Sequence, residues 1–351
     1  MTALETLIRA TIAAEGPMRL DRFMALCLGH PRHGYYMTRD PFGAAGDFLT
    51  APEISQVFGE LVGVWCATAW RMLGSPGQFN LVELGPGRGT LMGDILKAGR
   101  VLPGFGEAAR VHLVETSPVL REAQRRLIGA AVWHESLATL PEGPMVLVAN
   151  EFFDALPIRQ LEKRHGQWCE RVIGLADGRL TIGLAPFVGA QNGEGSDGDI
   201  VEFSPARAGV AQEIGARLAR HPGAALIVDY GHLASAPGDT LQALRRHKFA
   251  AITETPGDCD LTAHVDFEAL GKAIAAGGAI VHPALTQREF LLAMGLEQRA
   301  ERLAAKANAE QRIAMRRAVT RLAAAEEMGN LFKVLAATSP GLAQPYPFGR
   351  S

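Results

Sequence analysis
Residues 81–90, Leu-Val-Glu-Leu-Gly-Pro-Gly-Arg-Gly-Thr, end an apolar run in three alternating glycines and pass into a helix-like stretch. Gly85, Gly87 and Gly89 let backbone come close to a bound ligand, with helix N–H groups on offer at the turn. Glu83 sits two residues before the first glycine, where a strand acid can meet a cationic amino group or order its water. A second apolar run, 111–115, closes on Glu115, an acid placed to accept hydrogen bonds from both hydroxyls of a ribose. A third, 145–150, closes on Asn150-Glu151-Phe152-Phe153-Asp154-Ala155-Leu156-Pro157, two carboxylates flanking an aromatic pair. Acids so placed can grip a cationic or amine-bearing acceptor, since a guanidinium binds carboxylates bidentately.

Glu115 suits NAD and S-adenosylmethionine equally, so it specifies a nucleoside and not a cofactor. Two features tilt the choice. The turn lacks the third-glycine spacing of the dinucleotide fingerprint Gly-x-Gly-x-x-Gly, and a pyrophosphate would sit poorly beside Glu83. S-adenosylmethionine has no phosphate and carries an ammonium.

The elements that must position these residues follow from periodicity. Residues 2–14 and 20–28 have apolar side chains at helical spacing, with Leu4, Leu7, Ile8 and Ile12 on one face of the first. Thr50-Ala51-Pro52-Glu53 has the composition of a helix start, and the reading carries that helix to about Met72. Strands over 111–115, 131–133 and 145–150, with a helix over 118–128 whose Leu120 and Leu127 face inward, extend the first strand into a parallel sheet. The alternation lapses between 159 and 205, where 167–173 and 179–184 form a hairpin about Ala176-Asp177-Gly178, followed by a loop over 189–199 expected to be mobile. It resumes with a helix over 207–220, a strand over 225–230, a helix over 267–276, a strand over 279–282, a stretch over 286–325 that is nearly all helical and a last strand over 331–337.

Composition narrows the function classes. The 351 residues are 48% hydrophobic and 21% charged, a globular balance, and the net charge of -2 gives no global basic field for nucleic acid. The Arg- and Ala-rich stretch 297–325 carries interspersed glutamates and reads as a solvated face. Cys27, Cys66, Cys169 and Cys259 show no metal or redox spacing, and no run reaches the roughly 18 apolar residues of a membrane span. His30 and His33 lack ligand-spaced partners, and His264 with Asp258, Asp260 and Asp266 reads as structure or substrate contact, so no metal is expected. A cytoplasmic chain, complete as given, is the expectation.

Three segments taken in order resemble the MidA-like family of S-adenosylmethionine-dependent methyltransferases: Gly46-Asp47-Phe48-Leu49-Thr50-Ala51-Pro52-Glu53-Ile54-Ser55, residues 82–91, and residues 150–157. Asp229-Tyr230-Gly231 and residues 258–267 extend the likeness from about Gly29 to Gly295. The resemblance implies an α/β class I (Rossmann-like) core, a seven-stranded, mostly parallel sheet with an antiparallel last strand, plus a helical amino-terminal segment and inserted hairpin and helices. The expected organisation is 1–75 helical segment and lid, 76–158 first half of the core, 159–205 antiparallel insertion, 206–285 second half, 286–327 helical insertion and 328–351 last strand and tail. By position, Glu83, Gly85, Gly87, Glu115, Ser136, Leu137 and Asn150 are the cofactor candidates, with Glu135 beside the adenine. Glu151 and Asp154 are the acceptor-orienting candidates, with Asp47 and Glu53 secondary, and Gly46 near the same end.

The family includes a mitochondrial arginine methyltransferase that assembles respiratory complex I. The resemblance therefore implies transfer to arginine of a protein, with a complex I core subunit as one candidate acceptor. A cofactor-binding assembly factor without transfer, and more distantly an NAD-linked oxidoreductase, stay open.

Overall fold
A computed structural model describes residues 1–41, 50–187, 189, 195–245 and 248–349. Gly46 and Asp47, and residues 190–194 of the loop expected to be mobile, lie outside the described residues. The chain divides into two units: Met1–Phe48, Asp154–Ala208 and Ser235–His264 make one, and Leu49–Phe153, Gly209–Ala234 and Val265–Ser351 the other.

The second unit carries the large sheet. Its strands are β1 (Phe79–Leu84), β2 (Ala109–Val114), β3 (Val132–His134), β4 (Met145–Asn150), β5 (Gly223–His232), β6 (Ile280–Val281) and β7 (Phe332–Thr338). Their order is β6-β7-β5-β4-β1-β2-β3, with short segments Val265–Asp266 and Leu285–Thr286 pairing against β5 and β7. From β5 to β3 every neighbour is parallel, whereas β7 runs antiparallel between β5 and β6. All residues of β1, β4 and β7 are buried, because helices cover a parallel sheet on both faces and leave no polar side to alternate. The core packs Val57, Phe58, Trp65, Leu81, Leu91, Ile95, Val148, Leu226 and Val334 together.

Helix Gln56–Met72 lies unusually close to helix Thr90–Gly99: a Cβ at Gly63 would come 2.7 Å from the Ala98 Cβ. Gly63, with Gly59 whose Cβ would come 2.6 Å from the Asp94 Cβ, lets the helix that begins at the glycine turn pack against Gln56–Met72.

In the first unit Met18–Arg19, Arg159–Arg164, Gln167–Ala176, Arg179–Pro186 and Ile200–Phe203 form an antiparallel sheet. The expected hairpin is present, with Ala176 opposite Arg179 and both Asp177 and Gly178 at positive φ, the twist a two-residue connection requires. Helices Ala3–Glu15 and Leu20–Gly29 bury Leu4, Ile8, Phe23 and Met24 against Ile158, Ile173 and Leu261.

Three expectations fail in detail, and a fourth is refined. The helix beginning at Thr50 does not run on to Met72: it ends after one turn, Ala51–Ile54, and Ser55 in extended conformation caps a new helix by accepting from the Val57 N–H. Leu127 is 51% exposed and only Leu120 faces inward, so the inward stripe of helix Pro118–Ile128 is narrower than the leucine spacing suggests. Leu7 on the first helix is likewise 40% exposed. The stretch 286–325 is three helices, Gln287–Ala293, Leu296–Ala304 and Ala309–Ala323, divided at Gly295 in left-handed conformation and at the Asn308 cap.

Candidate active site
The ladder registers bring the candidate residues to one level. Leu84 pairs with both Val114 and Ala149, and Val114 with His134, so Gly85, Glu115, Glu135 and Asn150 each stand one residue beyond a common rung. Strand order reverses between β1 and β4, where crossovers leave in opposite directions and open a crevice at the carboxyl ends. The glycine turn occupies that crevice.

Gly85, Gly87 and Gly89 all have positive φ, of 58°, 54° and 88°. A Cβ on Gly85 would lie 2.8 Å from Phe152 Cδ2, so the first glycine is required by both conformation and packing. Gly89 is the left-handed cap of helix Thr90–Gly99.

Glu83 is 2% exposed, and its Oε2 is buried with no hydrogen-bond partner among the described residues. Burial pushes its carboxyl well above the ordinary carboxylate range; the Met92 backbone opposes that shift and the nearby Glu115 adds to it. A lone buried carboxylate oxygen at the foot of the turn is chemically suited to an ammonium group. Asn150 Oδ1 is also buried and without a partner among the described residues.

Glu115 is 9% exposed. Its Oε1 accepts from the Ser117 N–H at 2.8 Å and its Oε2 from Gln124 Nε2 at 3.3 Å. Burial raises its pKa, partly offset by hydrogen bonds from Ser117, Gln124 and Thr116 and by Arg121. These bonds do not exhaust the carboxylate's lone pairs, which leaves capacity to accept from a ribose hydroxyl. Ser136 is exposed and Leu137 buried in the 3-10 turn Leu137–Thr139 that follows β3. That turn is held by Arg217 Nη2, which donates to the Leu137 and Leu140 carbonyls at 2.7 and 3.0 Å.

On the other side of the crevice, Glu151 has φ 49°, a left-handed conformation in a residue with a full side chain. Its N–H donates to the Val228 carbonyl at 2.9 Å, and its Oε1 accepts from Asn150 Nδ2 at 3.1 Å and from the Ala51 N–H at 3.2 Å. Asp229, fully buried at the end of β5, accepts from the Phe153 N–H and the Tyr230 N–H, both at 3.0 Å. The turn after β4 is thus clamped from β5. Glu53, on the one-turn helix Ala51–Ile54, forms an ion pair with Arg88 of the glycine turn at 3.6 Å.

Within this unit the fold therefore gathers Glu53, Glu83, Gly85, Gly87, Glu115, Asn150 and Glu151 at one end of the sheet. Asp154 belongs to the other unit, where its carbonyl accepts from Arg207 Nη2 at 3.1 Å and from the Ala263 N–H at 3.1 Å. Sequence reasoning gave no role to Arg88, Gln124 or Asp229, although Arg88 and Asp229 lie inside segments that carry the resemblance.

Comparison with known proteins identifies the family. Residues 61–284 match the family described as "Putative S-adenosyl-L-methionine-dependent methyltransferase". The chain is 37% identical over 335 residues to protein arginine methyltransferase NDUFAF7 of Xenopus tropicalis, covering 85% of this chain and 76% of that one. It is 36% identical over 332 residues to the human protein of that name, covering 85% and 74%. A crystal structure of a Burkholderia thailandensis protein bound to S-adenosyl-homocysteine superposes with a TM-score of 0.86 at 29% identity, covering 97% of this chain and 93% of that one.

The cytoplasmic expectation is overturned, since the names of these relatives assign them to mitochondria. The NAD alternative falls too: the cofactor is S-adenosylmethionine, whose demethylated product occupies the Burkholderia structure. The chain is an enzyme of the MidA-like family of S-adenosyl-L-methionine-dependent methyltransferases.

Proposed function
We propose that the enzyme methylates arginine side chains of a protein, with a core subunit of respiratory complex I as the first acceptor to test. The observation that carries the reading is the 37% identity, over most of both chains, to a relative named protein arginine methyltransferase. The acids at the sheet end support it chemically. S-adenosylmethionine supplies a methyl carbon open to in-line attack: the N–C bond forms as the electron pair of the broken C–S bond passes to sulfur, and the proton lost from the methylated nitrogen goes to the Glu151 carboxylate that holds it.

The chain's own work is then to bind, orient and hold charge. Glu115 takes the ribose hydroxyls, Gly85 and Gly87 admit the cofactor backbone-close, Glu83 and Asn150 meet its amino acid end, and Ser136 and Leu137 border the adenine. Glu151 accepts N–H groups of the guanidinium and turns one nitrogen toward the methyl carbon, and Asp154 shares that task. Glu53 and Asp47 are the secondary acceptor contacts. Since Glu151 is held by Ala51 and Asn150 at fixed geometry, little reorganisation is needed when the acceptor enters.

The test is transfer of labelled methyl from S-adenosylmethionine to a mitochondrial extract and to purified complex I subunits, followed by amino acid analysis of the product. Methylarginine formed by wild type and lost in Glu151→Ala and Asp154→Ala is the expected outcome. Label on lysine or histidine refutes the arginine acceptor, and equal labelling by all three proteins removes the roles given to the two acids.

A further inference from the structure
Gln124 is fully buried in a helix whose other polar residues are mostly exposed arginines and glutamate. Its amide touches three separate elements. Nε2 donates to the Gly87 carbonyl at 2.7 Å and to Glu115 Oε2 at 3.3 Å, while Oε1 accepts from the indole N–H of Trp133 on β3 at 2.8 Å. These partners admit only one orientation: an indole N–H can only donate, and a carbonyl and a carboxylate can only accept, so a flipped amide would face like against like three times. The indole is itself covered by the Arg125 guanidinium, 4.9 Å from the ring.

We propose that Gln124 is the positioning residue for nucleoside recognition, locking the Glu115 carboxylate and the Gly87 carbonyl in a fixed relation so that the acid meets the ribose hydroxyls. The inference rests on the reading of Glu115 as the ribose acceptor. The Ser117 N–H fixes one carboxylate oxygen and Gln124 the other, which sets the plane of the group and directs its remaining lone pairs. Without the amide, Glu115 keeps its backbone anchor but can rotate about it, and the Gly87 carbonyl loses the side-chain donor that holds the glycine turn. The cost falls on ribose recognition rather than on the methionine end, where Glu83 has no contact with this amide.

Calorimetry on the full chain, with S-adenosylhomocysteine and its 2′-deoxyribose analogue, tests this directly. Wild type is expected to prefer the hydroxylated ligand about tenfold, the worth of a hydrogen bond to a charged group. Gln124→Leu should reduce that preference to about twofold, and Trp133→Phe, which leaves the amide oxygen without its indole donor and so loosens the amide, to an intermediate value. Equal weakening toward both ligands with the preference intact would mean a purely structural glutamine and overturns the proposal. If Gln124→Leu does not fold, Trp133→Phe decides on the same criterion. Glu115→Ala separates the two layers: loss of the preference there with full retention in the other variants refutes the role of Gln124 alone, whereas retention in Glu115→Ala refutes the ribose reading and the proposal with it.

Discussion

The two sides of the crevice reach their shapes by different means. On the β1–β2 side, three glycines take up positive φ at no steric cost, and Glu115 is held by a buried amide and a backbone N–H. On the β4–β5 side, a glutamate takes the same kind of backbone conformation at φ 49° and is held there by Val228, while Asp229 ties down the next turn. The first side is relaxed and the second is strained. Strain of this sort costs about 1–3 kcal/mol and persists where surrounding bonds over-determine it. On the roles proposed above, the cofactor side needs only space for backbone approach, so glycine serves, whereas the acceptor side needs a carboxylate at that point, so glycine would not serve and the fold tolerates the cost.

Removing the clamp should break the strained side most severely. Asp229→Ala removes the buried carboxylate that accepts from the Phe153 and Tyr230 N–H groups and is expected to lower stability by about 2–5 kcal/mol. Denaturant titration measures it, and a loss below that of an ordinary surface substitution would deny Asp229 its structural task.

A paired substitution tests the backbone argument next. At both sites glycine should be more stable than alanine by about 1 kcal/mol or more, because alanine suffers in left-handed conformation. Gly85→Ala should be worse than that figure, since its Cβ meets Phe152 at 2.8 Å. Glu151→Gly should unfold at higher denaturant than Glu151→Ala although neither transfers methyl groups. Equal stability of the Glu151 pair would show that the side chain is not held against a backbone preference.

The smallest effect is a pH dependence. The folded pKa of Glu83 is raised above the ordinary value of 4.5, chiefly by burial, so the folded protein keeps a proton that the unfolded chain has released. This contributes stability that is fully present below pH 4.5 and is lost as pH rises through the folded value. Glu83→Gln, already neutral, lacks that loss. Its melting temperature relative to wild type should therefore climb as pH goes from 4.5 upward, and a constant difference would mean that Glu83 ionises without penalty.

The same comparison explains what could be read from residues alone. The glycine turn was legible because glycine at alternate positions reports backbone geometry directly, and the apolar runs ending in Glu115 and Asn150 reported buried parallel strands. Glutamate at 151 reports nothing of its φ, and a glutamine among arginines gives no sign of being fully buried. The break at Ser55 was hidden for a related reason: Thr50 has a capping composition but no capping bond from its side chain, while Ser55 makes one. Leu127 shares its side-chain type with Leu120 yet points to solvent, since only contact with the sheet, which periodicity over one short helix defines loosely, selects between them. Glu53 and Arg88 meet across 35 residues of sequence, a contact no local pattern encodes.

The antiparallel β7 has a consequence for how such a chain is made. It is the last of the seven strands in sequence, yet it fills the gap between β5 and β6, pairing with β5 along seven residues from Ala224 to Tyr230. During synthesis, β1 to β5 can emerge and pair while β5, and the later β6, still wait for the strand that joins them, leaving β5 with a bare apolar edge. Such edges recruit other chains. The interval between the release of residue 232 and the arrival of residue 332 is therefore the period of greatest exposure to aggregation, and the point at which a chaperone would have most to protect.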